Sequence, residues 1–482
     1  METMVTGRME AKPNNDVAER LSALLSRLAP TTARKLAAGL ERQRLQGTDG
    51  LPYELILSSL RPVLERAKGP RPGLPDPLRQ FCSPFEDLLV NRRDPAHRMR
   101  EVARVSIDPV WIWLMSELMP DALRDITARV VEHTLDNDEA ALNGSVAVMH
   151  ASCSAAILQA IEDTRSDITK RRKLERKLGG ENVLDDARAM GEALAVAPFL
   201  LNLRNQLPKH IGDFDDNHVA MVAELYEDAR EALPDYAIYI PFAAMKRLAS
   251  PWQILRLARK LSGFGNDAAL SRSGLAVLGE IFLSEIEEIA TAFETQRPGK
   301  ADLGQMKRDV LRFAEISQGF IGEIDIRRVS EWGHRILAAR AKLSAAISEE
   351  MSRFQQDLAK ALPLHQIGTY GKNGPRRPDA THAPDNERIA KAMADMDFIS
   401  GISSAAESIG VQSHCRTIVQ QIETYLVAYE DGLIEEIRRS KGSERDNALN
   451  FLDIVVKFHE TLGETAAAET LRRRGRVAAQ AA

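Results

Sequence analysis

Four oxygen-bearing side chains, Asp213, Asp215, Asn217 and Glu224, occupy the first, third, fifth and twelfth positions of a calcium-binding EF-hand loop. Ligands at that spacing can surround a hard cation. The sixth position of such a loop makes a sharp turn and takes Gly, but here it is His218, and Val219 to Glu224 reads as continuous helix. Acids beside a helix start also cap its open amides and oppose its dipole, and capping is the stronger reading. Glu331 and His334 form one E-x-x-H pair, whereas a di-iron bundle needs two such pairs and further carboxylates. An ion pair at the surface explains a single copy. His150 and Cys153 share a helical face and read as a polar helix contact rather than a ligand pair. No cofactor is expected.

The chain has no G-x-S-x-G, no Walker Gly-Lys-Ser/Thr run, no G-x-G-x-x-G after a strand and no H-E-x-x-H. An enzyme is therefore the less expected outcome, although helical enzymes do assemble sites from scattered residues. Two basic runs, Lys170, Arg171, Arg172, Lys173, Arg176 and Lys177, and the tail Arg472, Arg473, Arg474 and Arg476, could neutralise phosphates. Neither interleaves aromatic residues for stacking, and acids outnumber bases two to one between Asp385 and Glu469. The tail should stay solvated or dock on its own acidic domain, and nucleic acid is not the expected partner. Trp111 and Trp113 lie two apart and point to roughly opposite sides of a helix, while Tyr236, Tyr239, Phe242 and Trp252 cluster around Pro241 and Pro251. Aromatics of this kind anchor cores or form binding hot spots. Core packing is favoured, and these six residues are the partner-binding candidates.

These residues must be positioned by helices. Apolar residues recur at helical spacing nearly throughout, and alternating β-branched runs are scarce, so the expected fold class is all-α: a multi-helix body, a flexible linker and a small C-terminal helical bundle. Val17, Leu21, Leu24 and Leu28, then Leu36 and Leu40 after Pro30, predict an N-terminal helical hairpin within residues 1–68. Asp108 and Pro109 read as the cap and first position of a helix. The main body spans 76–362. Val329, Trp332, Ile336, Leu343, Ile347, Met351, Phe354, Leu358 and Leu362 form one stripe on a single rod of roughly 58 Å, with Glu349, Arg353 and Asp357 paired on its wet side. Gly368, Gly371, Gly374, Pro375, Pro378 and Pro384 then interrupt the pattern, and residues 363–386 are expected to be a slack joint. Residues 387–482 form the C-terminal bundle, with stripes at Ile418, Ile422, Tyr425, Tyr429, Leu433 and Ile437 and at Leu449, Leu452 and Val456, ending in the basic tail.

A chain of 482 residues with 44% hydrophobic and 28% charged residues and a formal charge of −5 can build real cores and carries no bulk electrostatic signal for a nucleic-acid or membrane partner. Cys82, Cys153 and Cys415 are odd in number and widely spaced, which suits a reducing compartment. The charged N-terminal residues do not resemble a signal peptide. Ala140 to Ile161 lacks charge and is long enough to span a bilayer, but its polar residues are spread around the helix. It is expected to be a central core helix, with Gly144, Ala147, Ala151 and Ala155 admitting close neighbours, and no transmembrane segment is expected.

The expectation is a cytoplasmic helical scaffold or adaptor mediating protein–protein interactions, with self-association through long amphipathic helices a further outcome. The alternative is an enzyme or small-ligand-binding protein with a pocket between helices, lined by Tyr236, Tyr239, His210 and His218. A nucleic-acid-associated regulator ranks third.

Overall fold

Aspartates start many of the helices. Asp76, Asp138, Asp167, Asp215, Asp302 and Asp385 each accept hydrogen bonds from backbone amides of the first turn, satisfying donors that a helix start leaves open. The structure is a computed structural model that describes residues 21–25, 27–45, 52–66, 76–91, 100–263, 266–295, 299, 301–366 and 376–480. Many helices packed together make up the fold, with only two short strand pairs among the described residues. The chain divides into two compact units, Met1–Pro251 and Trp252–Ala482.

In the first unit, α1 (Pro30–Leu45) and α2 (Tyr53–Arg66) pack around Leu25, Ala33, Ala37, Leu40, Leu60 and Val63, so the second expected helix finds its partner in residues 53–66 and Pro30 starts it. Leu24 and Leu36 point outward instead, because Leu25 and the two alanines occupy the inner arc. Val17 lies outside the described residues. After α3 (Pro77–Cys82) come the parallel strands β1 (Leu89–Val90) and β2 (Val102–Ala103), then α4 (Ile107–Trp113). Asp108 lies inside the first turn of α4, not at its cap. The helix then widens into a π-helical turn over Leu114–Leu118. α5 (Pro120–Asp136), α6 (Glu139–Glu162), α7 (Ile168–Leu178), α8 (Glu181–Ala195), α9 (Ala197–Gln206), α10 (Asp216–Ala232) and α11 (Tyr239–Met245) complete the unit.

Helix α6 is buried on one face only, rather than surrounded. Val146, Met149, His150, Cys153, Ser154, Ile157 and Ile161 are buried. Ser154 Oγ donates to the Gly191 carbonyl at 2.7 Å, and His150 Nε2 lies 2.8 Å from the Gln80 carbonyl. Close approach to α8 comes from Gly191, where a Cβ would crowd Ile157 and Leu158. Gly144, Ala147, Ala151 and Ala155 are exposed on the opposite face. Their expected role in admitting neighbours is thus not the one they play. Among the described residues α6 alone is long and apolar enough to cross a membrane, yet its inner-face hydrogen bonds tie it to α8 and to the end of α3.

The second unit contains α12 (Leu255–Ser262), α13 (Asp267–Leu270), α14 (Ala276–Thr295), α15 (Leu303–Glu323), α16 (Glu331–Met351), α17 (Phe354–Ala361), β3 (Leu364–Gln366), β4 (Arg376–Pro378), α18 (Asn386–Ile402), α19 (Ala406–Ile409), α20 (Gln412–Arg439), α21 (Ser443–Thr461) and α22 (Thr465–Gln480). The expected long rod is two helices, α16 and α17, separated by a turn at Ser352 and Arg353. Its stripe nevertheless continues: Trp332, Ile336, Leu343, Ile347, Met351, Phe354, Leu358 and Leu362 are all buried, and only Val329 is exposed. Asp357 is not on a wet face, since it is 6% exposed and pairs with Lys360 and Lys391.

The boundary expected at 363–386 does not coincide with the division between compact units. β3 and β4 pair antiparallel, Leu364 with Pro378 and Gln366 with Arg376. The helices on either side pack together: Phe354 and Phe398 meet edge to face at 6.1 Å, and Tyr425 Oη donates to the Leu362 carbonyl at 2.6 Å. His414 and Cys415 of α20 reach Ser348 and Met351 of α16, and the Asn447 side-chain amide donates to the Ala380 carbonyl. Glycine and proline end a helix here, but the apolar faces of the flanking helices still need partners and find each other. Residues 367–375 lie outside the described residues.

Two indoles set the packing of this unit. Trp332 of α16 lies where a Cβ on Gly279 of α14 would be, and Trp252 does the same at Gly319 of α15. Trp332 also donates to Glu280 at 2.7 Å and meets Phe320 edge to face at 5.6 Å. Gly279→Ala should therefore force the indole aside and lower stability by about 1–3 kcal/mol. Exposed Gly322, whose Cβ position is open, should accept alanine without loss. Urea unfolding of the two variants checks the difference.

Candidate interaction surfaces and buried polar clusters

The residues of the cation-loop spacing do not converge. Asp215 caps α10, accepting from the amides of Asn217 at 3.0 Å and His218 at 2.9 Å, and these bonds, chiefly that of His218, hold its carboxyl below the usual range. Asn217 and Glu224 sit on α10 itself, about 10 Å apart along its axis, too far to share an ion bound at about 2.4 Å. No group of three metal-ligating side chains able to hold an ion occurs among the described residues. Glu331 and His334 are exposed at the start of α16, where Ser330 is the cap. His150 and Cys153 are buried separately, and burial lowers the His150 pKa and pushes the Cys153 thiol up to about 12.

The aromatic candidates pack inward. Trp113, Tyr239 and Phe242 are buried, and Trp111 lies against Phe81 at 5.1 Å. Both tryptophans can be covered because the outward arc of α4 is centred on Ile112, between them, which is 62% exposed. Trp252 is half-buried against Gly319. Tyr239 instead belongs to a polar cluster: its hydroxyl donates to Glu192 of α8 at 2.8 Å, and Arg100 pairs with the same carboxylate while its guanidinium lies 5.6 Å from the Tyr239 ring. Burial first, and then the Glu192 charge, raises the Tyr239 pKa well above its ordinary value. Tyr236 is half-buried and feels the same charges. His210 is exposed, and His218 stacks on Phe214.

The basic runs differ in use. On α7, Arg171 pairs with Glu175 and Glu181, Lys170 with Asp167 and Lys177 with Glu117, leaving Arg172, Lys173 and Arg176 exposed on one arc. In the tail, Arg472 pairs with Glu460, Arg473 with Glu469 and Arg474 with Asp431. Arg476 is exposed. Two of these pairs cross to other helices, so α22 lies on the acidic bundle.

That docking creates a groove between α20 and α22 of about 540 Å³, lined by Asp431, Ile434, Glu435, Arg438, Arg473, Arg474 and Val477. Val477 is 58% exposed, and Val427, one turn before Asp431 on the same face of α20, is 56% exposed. Arg438 has no ion pair among the described residues, whereas Glu435 faces Arg377 at 3.7 Å. Sequence reading missed this groove. Its only signals were Val427 and Val477, each on the polar side of its helix. Comparison with protein-family models, with curated proteins and with solved structures finds no match in any of the three.

A second cluster links α16, α17 and α18. Glu350, Asp357 and Asp395 are buried, and Lys391 reaches Asp357 at 2.7 Å. Asp395 Oδ2 has no hydrogen-bond partner. Burial, and then the charges of Asp357 and Glu350, push its carboxyl up to about 7. Because the folded value lies above the unfolded one, near 3.9, the group stabilises the fold fully below pH 4 and loses that contribution as pH rises through 7. Asp395→Asn should thus raise stability at pH 8 by roughly 1–3 kcal/mol and leave it nearly unchanged at pH 4. Urea titrations at the two pH values read this directly, and equal effects at both would contradict it.

Proposed function

We propose that the chain is a cytoplasmic helical scaffold or adaptor that holds a partner protein in the groove between α20 and α22. The observation that carries this reading is the groove itself: exposed Val477 and buried Ile434 beside a guanidinium with no ion pair among the described residues, with exposed Val427 one turn beyond on α20. Apolar side chains at a helix-lined groove gain by covering one another, at about 25 cal/mol per Å² of area removed from water. Arg438 in turn favours a carboxylate at the rim. The partner chemistry that fits is an amphipathic helical segment with an apolar anchor next to an acidic residue.

Three further features support a holding role. The aromatic candidates are occupied in packing, so they are not the docking surface. Three of the four tail arginines are already paired with carboxylates, which favours a protein partner over phosphate. All three cysteines are free thiols, consistent with the reducing compartment proposed.

The test uses the intact chain as bait, with Val477→Glu and Arg438→Glu as groove variants and Val329→Glu as a control at an exposed valine on a different element. A partner retained by the parent chain should be captured at least fivefold less by both groove variants and normally by the control. Cross-links from that partner should fall on an acidic amphipathic segment. Equal capture by all four proteins would overturn the assignment of this groove.

A further inference from the structure

His459, near the end of α21, is 2% exposed and lies between two carboxylates from other elements. Its Nε2 is 2.5 Å from Glu430 Oε1 on α20, and its Nδ1 is 2.5 Å from Glu464 Oε2, immediately before α22. A neutral imidazole can donate from only one nitrogen, so donating to both carboxylates requires the imidazolium. Glu464 is also hydrogen-bonded to Glu423 of α20, and two carboxyl groups can share such a bond only if one keeps its proton. The ring separates Glu430 from Glu464, so the group is arranged to hold protons rather than to converge on a metal.

We propose that Glu423, Glu430, His459 and Glu464 form a proton-dependent latch that fixes the start of α22 against α20. The pairings Glu423 with Glu464 and Asp431 with Arg474 advance together along the two helices, so α20 and α22 run in the same direction. The latch therefore sits at one end of the docking groove. When the His459 proton leaves to water, one ring nitrogen turns a lone pair toward a carboxylate and three clustered acids lose their cation. The first turns of α22 then loosen. Its later turns stay anchored by Ala478 and Gly475, the latter packed on Leu452.

The sign follows from the surroundings. Burial opposes protonation of His459, but hydrogen bonds to Glu430 and Glu464, and their charges, outweigh it and raise the folded pKa above the ordinary histidine value. The latch is fully closed below pH 6.5 and opens as pH rises through that raised folded value. Burial, followed by the bond to Glu464, likewise raises Glu423. Other charged groups on the surrounding helices are engaged elsewhere or face solvent. Glu460 pairs with Arg472, Arg473 with Glu469 and Arg474 with Asp431. On α18, which packs against α21, Arg388 pairs with Asp385, Lys391 lies with Asp357 beside Asp395, and Asp397 pairs with Lys307. Glu387, Asp453 and Lys457 are exposed.

The latch itself stands without the adaptor reading, and only its regulatory consequence, control of the groove, rests on it. Amide hydrogen exchange of the intact chain, corrected for intrinsic pH dependence, tests it from pH 5.5 to 9. Exchange in residues 465–471 should accelerate at least threefold as pH rises, while α14 stays unchanged. Glu464→Gln should move the midpoint down, because His459 loses one stabilising charge, and His459→Gln should abolish the transition. If His459→Gln does not fold, the Glu464→Gln midpoint still decides. A flat profile in the parent chain, or an unmoved midpoint in Glu464→Gln, would overturn the latch. A pH-dependent α22 with no partner lost from the groove variants would instead sink the adaptor reading alone.

Discussion

Burial of α20 along its length is the constraint on which the second unit depends. Cys415, Ile418, Ile422, Leu426, Tyr429, Leu433, Ile434 and Ile437 are all nearly or wholly inaccessible, and each large apolar side chain removed from water contributes about 1.5–3 kcal/mol. One helix cannot bury that many side chains with a single neighbour. α20 therefore packs with α16, α17, α19, β4, α21 and α22 in turn. Gly432 lets Pro378 of β4 approach where a Cβ would collide. Strands β3 and β4 are folded in because α20 needs the surfaces on both sides of them.

Several polar groups inside this packing are paired across helices. Arg335 joins α16 to Glu280 and Glu287 of α14, and Arg312 joins α15 to Glu285. Such pairs contribute little as isolated surface bridges, but they fix which faces meet. The deeper clusters behave differently. Burial and neighbouring acids raise the Asp395 carboxyl, whereas at His459 the bonds and charges of two glutamates outweigh the opposing effect of burial, so the second unit carries its pH response in two separate helix contacts.

In the first unit a buried arginine has the comparable role. Arg247 is 3% exposed; it donates to Asp87 through two nitrogens, and to the carbonyls of Arg204 and Leu207. A guanidinium can satisfy several acceptors at once from a planar fork, and here it binds the end of α9 to the turn before β1. The Ile211 amide bonds the Arg247 carbonyl beside it. α6 completes this unit as a wall whose small residues face outward.

The sequence by itself determined the fold class, most helix positions and their inner faces, because apolar spacing of three and four residues survives any tertiary arrangement. The stripe from Trp332 to Leu362 was legible even though the rod carrying it bends. It also gave the choice between cap and cation loop at Asp215, which is a local matter of amides and one carboxylate. What tertiary structure alone decided was which elements share a core. Glycine and proline report where a helix stops, not whether the next helix returns to the same neighbours, so the joint expected at 363–386 falls inside one unit, where β3 pairs with β4. Likewise no spacing links Glu430, His459 and Glu464, or Ile434 and Val477. Those groups meet because α20, α21 and α22 bury their apolar faces together, and contacts set by packing between distant segments leave no periodic trace in the chain.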